Sequence, residues 1–293
     1  MSSRLRGILL TGLGVLVLSP DSILVRLLDT DIATTLFYRG LALATGLSCY
    51  LLWRERGDAT PMIEAVRSPL GWGLGLLFAL SNMLFVFTIE HTAIADTLGC
   101  LATASIFAAL FSVIFLGERA PLRTWITAAV IAGGLLLIAF GGAGSGIGRV
   151  AGIATAMVFG ATFVVMRATG QGDTLPGLAF GGLIIAVVTL FFARPLSLSS
   201  TGTLALAGLA VVLPLAFALI GRGPRYLPAP EVSLLMLLET VFGTLWAALF
   251  LNENPTSSTL AAIAIILGAL ALFYWRQAIV HTRAPHSAPE TSS

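Results

Sequence analysis

Long apolar runs, each near twenty residues and broken by Gly, Pro or charged positions, recur from one end of the chain to the other. A run of that length spans a ~30 Å hydrocarbon layer as a helix, because each helical residue rises ~1.5 Å. The pattern predicts spans over 7–28, 32–53, 70–89, 93–116 and 122–140. After a break rich in glycine (Gly141, Gly142, Gly144, Gly146), five more follow over 148–166, 176–193, 204–220, 231–251 and 259–275. The expected class is therefore an all-α membrane protein of ten transmembrane helices.

Charge placement orients the chain. With both termini in the cytoplasm, Arg4, Arg6, Arg54, Arg56, Arg67, Arg119, Arg123, Arg167, Arg222, Arg225, Arg276 and Arg283 lie on the inner side, and only Arg26, Arg149 and Arg194 lie outside. That asymmetry follows the rule that basic residues stay on the cytoplasmic side. Adding or removing one span would scramble it. Arg39 is left as the single arginine deep within a span.

Composition agrees and excludes several functions. The chain is 57% hydrophobic and 10% charged, outside the range of ordinary soluble domains. All 16 basic residues are arginine. Without lysine there is no P-loop lysine for a nucleotide phosphate and no Schiff base, so ATP-driven pumping within this chain is excluded. A formal charge of +2 gives nucleic acid no footprint. His91, His281 and His286 sit at a span end or in the tail with no metal-ligand spacing, so no metal and no cofactor are expected. Cys49 and Cys100 lie at different depths and are expected as free thiols. Arg4 and Arg6 ahead of an apolar run imitate a signal peptide, but nine further spans make that run part of the fold.

The chain also carries an internal echo. The stretch 96–119, ending Phe-Leu-Gly-Glu-Arg, lies on 231–254, ending Phe-Leu-Asn-Glu-Asn, with Asp96 on Glu231, Phe107 on Phe242 and Glu118 on Glu253. Ile23-Leu24-Val25-Arg26 lies on Val164-Val165-Met166-Arg167. A repeat with an odd number of spans must place its second copy upside down, an arrangement common among secondary carriers. The expected organisation is a first five-helix repeat over 1–141, an inverted second over 148–276, and a cytoplasmic tail over 277–293 whose Pro- and Ser-rich end reads as disordered.

With Leu116 to Arg119, its echo Leu251 to Asn254, Phe37-Tyr38-Arg39 inside a span, and Leu237-Leu238-Glu239, the sequence resembles the drug/metabolite transporter superfamily in its ten-helix EamA-type branch. The likeness runs from about Gly7 to Trp275. Within the branch the chain looks most similar to bacterial aromatic amino acid exporters of the YddG type, although it has Ser19-Pro20-Asp21 where members often carry Trp-Gly. The resemblance implies a secondary transporter in the bacterial inner membrane. It would export aromatic or other neutral amino acids, or related metabolites, by alternating access. It also puts Tyr38 beside Arg39 at the cavity. A drug-efflux carrier of the same superfamily is the alternative, and a membrane-embedded enzyme is the alternative from another class. The expected partners are a small-molecule substrate and the lipid bilayer.

Intramembrane charges single out the chemistry, since each costs at least ~2.5 kcal/mol to insert. Asp21 and Arg39 fall about seven residues from the outer ends of adjacent spans joined by a short hairpin, so both are ~10 Å deep and an ion pair is natural. A purely structural lock between two helices is the competing reading. Glu239 has neutral Ala104 as its repeat counterpart and is a candidate gate or coupling residue. Phe78, Ser81, Asn82 and Phe85 share one helical face, as do Thr155, Phe159, Thr162, Phe163 and Met166. Such amide, hydroxyl and aromatic faces suit a zwitterion with an apolar body. Pro20 and Pro214 each remove a helical hydrogen bond and are candidate bends.

Overall fold

A computed structural model describes residues 3–118, 146–170, 172–194 and 198–251, together with scattered helical positions within 122–133 and 257–272. Among these residues every regular element is helical. The elements are α1 (Ser3–Leu18), α2 (Asp21–Leu28), α3 (Ile32–Arg54), α4 (Thr60–Arg67), α5 (Pro69–His91), α6 (Ile94–Ala102) and α7 (Ala104–Leu116). In the second half they are α8 (Gly146–Ala168), α9 (Leu175–Leu190), α10 (Ser200–Ile220) and α11 (Ala229–Phe250), with a 3-10 turn at Gly223–Arg225. Seven stretches are long and apolar enough to cross a membrane: α1–α2, α3, α5, α6–α7, α8, α10 with its turn, and α11. Helix α9 is a shorter apolar helix. The expected spans over 122–140 and 259–275 lie for the most part outside the described residues, and the tail over 277–293 lies wholly outside them.

Two expected spans are divided, each for a local reason. Pro20 has no N–H to donate, and the first span breaks into α1 and α2 there. The Leu16 carbonyl takes the Ser19 hydroxyl instead, at 2.8 Å. In the fourth span the Thr103 hydroxyl bonds the Cys100 carbonyl at 2.7 Å, and Thr103 separates α6 from α7. A hydroxyl that back-bonds in this way competes with the helical ladder and bends it. Pro214, by contrast, sits inside an unbroken α10. Helix α4 was not anticipated; it is a single short helix with no fully buried side chain between α3 and α5.

The hairpin between α2 and α3 is tightly specified. Asp29 adopts a left-handed conformation (φ 48°) and caps α2, its N–H reaching the Arg26 carbonyl. Asp31 caps α3 by accepting from the Thr34 N–H at 3.0 Å and its hydroxyl at 2.7 Å. Burial pushes the Asp31 carboxyl up, but the Thr34 bonds outweigh it and hold the pKa below its ordinary value. That cap is present above the unfolded-state pKa and is lost as pH falls through the lower folded one.

Helices pack mainly between the halves of the chain. α3 lies on α9, α5 on α8 and α9, α1 and α2 on α10, α1 on α11, α10 also on α3, and α6 and α7 on both α8 and α11. In lipid, close contact replaces the hydrophobic drive that water would supply, so small residues mark the seams. At the α3–α9 seam a Cβ on Gly40 would lie 2.6 Å from the Ala186 nitrogen, and one on Gly182 would lie 2.7 Å from the Ala44 nitrogen. Gly46 is covered by the Pro214 ring. Leu5, Leu9, Leu13 and Leu16 on α1, and Leu183, Val187 and Leu190 on α9, stay exposed for lipid to cover.

Gly182→Leu should lower the melting temperature of the purified protein in detergent, because backbone faces it across the seam. Gly73→Leu, where nothing lies within 4 Å of the added Cβ, should melt as the unmutated chain does. Equal melting of the two variants would show that the seam does not limit stability.

Candidate functional site

The break at Pro20 starts a new helix with Asp21, and the next helix brings Arg39 alongside it. Arg39 is 1% exposed and donates through Nη1 to Asp21 Oδ1, while Asp21 is 2% exposed. A fully buried guanidinium needs both a counter-charge and hydrogen-bond acceptors. Asn82 on α5 supplies a further acceptor: its Oδ1 takes Arg39 Nη2 at 3.1 Å. The Asn82 amide then donates to the Phe78 carbonyl at 2.9 Å, which fixes its orientation. The Phe85 ring lies under the guanidinium, 5.6 Å from Cζ to centroid, and adds a cation–π contact. Arg39 Nε is buried with no hydrogen-bond partner.

These groups line a small cavity walled by Leu18, Asp21, Arg39, Ser81, Asn82, Phe85, Leu101, Thr155, Phe159, Phe217 and Glu239. Its walls come from both halves of the chain. Glu239 is 3% exposed on α11 and feels the charges of both Asp21 and Arg39. One pole of the cavity thus holds a guanidinium shared by Asp21 and Asn82, with a second carboxyl nearby; aromatic rings cover much of the rest. Such a chamber can receive a carboxylate at Arg39, a hydrogen-bonding or cationic group at Glu239, and an apolar body against Phe85, Phe159 and Phe217.

Eight of the residues singled out from the sequence meet at this cavity: Asp21, Arg39, Ser81, Asn82, Phe85, Thr155, Phe159 and Glu239. Others stand behind it. Phe78 packs edge-to-face on Phe217 with centroids 4.8 Å apart, and Phe163 does the same on Phe159 at 4.9 Å. The Thr162 hydroxyl is spent on the Val158 carbonyl at 2.8 Å. Tyr38 is half-buried with its ring tilted against Phe37. Pro20 makes the break beside the cavity, and Pro214 packs on Gly46 away from the lining. Leu18, Leu101 and Phe217 were not singled out, having no sequence signal beyond being apolar. Thr155 shared a face with Phe159, and that spacing was its signal.

Cys49 and Cys100 are both free thiols, as expected from their depths. Among the described residues no group of His, Cys, Asp and Glu is arranged to hold a metal ion.

Apolar spans enclosing a small polar chamber define a multi-pass integral membrane transporter, and comparison with known proteins places it in the bacterial inner membrane. Residues 146–275 match the EamA-like transporter family. It is 26% identical over 277 residues to the pseudopaline exporter CntI of two Pseudomonas aeruginosa strains, covering 91% of this chain and 95% of each relative. A solved crystal structure with 17% sequence identity superposes with a TM-score of 0.72 over 96% of this chain and 100% of that one, which speaks for the fold alone. The family match and these relatives point to a carrier of small molecules.

The Asp21–Arg39 contact yields a thermodynamic test. Asp21→Asn and Arg39→Gln each leave a charge buried without its partner, which costs ~3 to 5 kcal/mol by the behaviour of buried pairs. The double neutral variant should recover most of that loss. A double-mutant cycle on unfolding in detergent measures the coupling, and strictly additive losses would show that the pair is energetically uncoupled.

Proposed function

We propose that this chain is a secondary carrier that exports amino acids, aromatic or otherwise neutral, or closely related metabolites, by alternating access through the chamber at Arg39 and Glu239. The observation that carries this reading is a buried guanidinium with one nitrogen unpartnered, which together with a second carboxyl lines an aromatic-walled cavity between the halves of the chain. An α-amino acid offers a carboxylate to the first group and an ammonium to the second. Relatives named as exporters favour outward transport.

The architecture we propose is ten spans in two inverted five-helix repeats, over 1–141 and 148–276, with both termini in the cytoplasm. Helix pairing supports it. Numbering the spans as in the sequence, exchange of each span for the one five places along maps the pair 2·7 onto itself and 4·9 onto itself. The same exchange maps 3·6 onto 8·1, 3·7 onto 8·2 and 4·6 onto 9·1, and every one of these pairs is in contact. The sequence echo has matching roles too. Arg26 ends the first span and donates to the Ile89 and Thr92 carbonyls at the turn between spans three and four, at 2.9 and 2.7 Å. Arg167, its counterpart, ends the sixth span and donates to the Pro224 carbonyl between spans eight and nine, at 2.9 Å. A two-fold relation between upside-down halves produces both contacts from one sequence feature.

Counterflow of a labelled amino acid panel in proteoliposomes, with and without a pH gradient, tests the substrate class. Glu239→Gln should insert and purify normally but transport about tenfold more slowly or worse, a loss confined to the solute step. Failure of every amino acid in the panel to exchange would remove amino acids as the substrate, and an unaffected Glu239→Gln would remove that residue from the mechanism.

A further inference from the structure

Charged side chains join the two halves of the chain at one face of the bundle, the face at which α1 begins. Arg4 near the start of α1 grips the Glu231 carboxylate in the first turn of α11 with two bonds of 2.7 Å. Arg54 in the last turn of α3 pairs with Asp173 just ahead of α9. Glu118, just past α7, accepts from Arg167 Nε in the last turn of α8 at 2.9 Å. Asp173 is shared with Arg225 at 3.3 Å, and the Tyr50 hydroxyl on α3 takes a bond from Arg222 beyond α10. Tyr50 also lies under two guanidinium groups, those of Arg54 at 5.9 Å and Arg222 at 5.6 Å from its ring centroid.

The opposite face also holds contacts to neutral acceptors. Arg26 bonds backbone carbonyls within the first half, and the Arg194 N–H crosses to the Thr34 hydroxyl at 2.8 Å. The side chains in the three crossing ion pairs are 8–33% exposed and sit in reach of counter-ions, so salt weakens them. Single exposed pairs contribute little, but pairs linked through shared partners such as Asp173 act together.

We propose that this face is an ionic lock between the halves, which closes the chamber on the side where α1 begins and must part before solute can pass there. The proposal rests on reading the chamber as the solute path. Three seams are pinned at once: α1 to α11, α3 to α9, and α7 to α8. Four of the six helices so pinned line the cavity: α1, α3, α8 and α11 carry Leu18, Arg39, Phe159 and Glu239. Alternating access requires these helix ends to separate on one face while the other closes, and three simultaneous pairings set the threshold for that separation.

The test uses a reporter cysteine at Ser81 in a background with Cys49 and Cys100 replaced by alanine, labelled by a membrane-impermeant thiol reagent applied from either face of sealed vesicles. Asp173→Asn and Arg167→Glu should each raise labelling from the α1-start face by roughly three- to tenfold, the scale of one or two such pairs. The exchange of Glu118→Arg with Arg167→Glu should return labelling toward the starting value. In the unmutated lock, raising salt from 0.01 to 1 M shortens the screening length from about 30 to about 3 Å and should act in the same direction without any further substitution. Reagent entry from the opposite face that persists while salt and both single variants leave the α1-start face unchanged overturns the lock and leaves the chamber reading intact. Labelling from neither face under any of these conditions overturns both.

Discussion

A guanidinium cannot be left unpaired in a low-dielectric interior, and much of this bundle is organised around that requirement at Arg39. The side chain is held by Asp21, by Asn82 and by the face of Phe85, so α2 and α5 converge on the charge that α3 carries. Each partner depends in turn on local structure. Pro20 ends α1 and lets α2 begin with Asp21, the tight hairpin with its Asp29 and Asp31 caps sets the relative height of α2 and α3, and the Phe78 carbonyl fixes the Asn82 amide. The second half closes the cavity with Thr155, Phe159, Phe217 and Glu239. A charge so thoroughly buried costs stability, and one nitrogen left without a partner is a cost that packing could have removed. Its retention is what a ligand's carboxylate would answer.

The seams that hold this arrangement are of two physical kinds. In the apolar layer the halves meet through close backbone approach, Gly40 and Gly182 letting α3 and α9 nearly touch. At the helix ends, where water returns, they meet through charge. The first kind fixes the helices laterally and is insensitive to solvent; the second can be made and broken in water at modest cost. A carrier needs both, a rigid seam to pivot on and a reversible one at the mouth.

Much of this was legible in the chain. The length and hydropathy of the runs determined the helices, because only a helix satisfies its own backbone in lipid. The depth of Asp21 and Arg39 followed from counting residues at a fixed rise, so their meeting needed no more than a hairpin. The face carrying Ser81, Asn82 and Phe85 followed from helical periodicity. The divisions at Ser19–Pro20 and Thr103 were only half visible: proline announces its missing donor, but whether a threonine hydroxyl spends itself on the preceding turn depends on what surrounds it.

Tertiary structure alone decided the rest. That Leu18, Leu101 and Phe217 face the cavity, and Phe78, Thr162 and Phe163 do not, depends on how far each helix is rotated about its axis. Lipid and protein are both apolar, so hydrophobicity along the chain carries no record of which side of a transmembrane helix meets which. The partners of Glu118, Asp173 and Glu231 were hidden for the same reason: a charge at a helix end declares the membrane boundary, while the neighbouring helix end that answers it is set by the packing of the whole bundle.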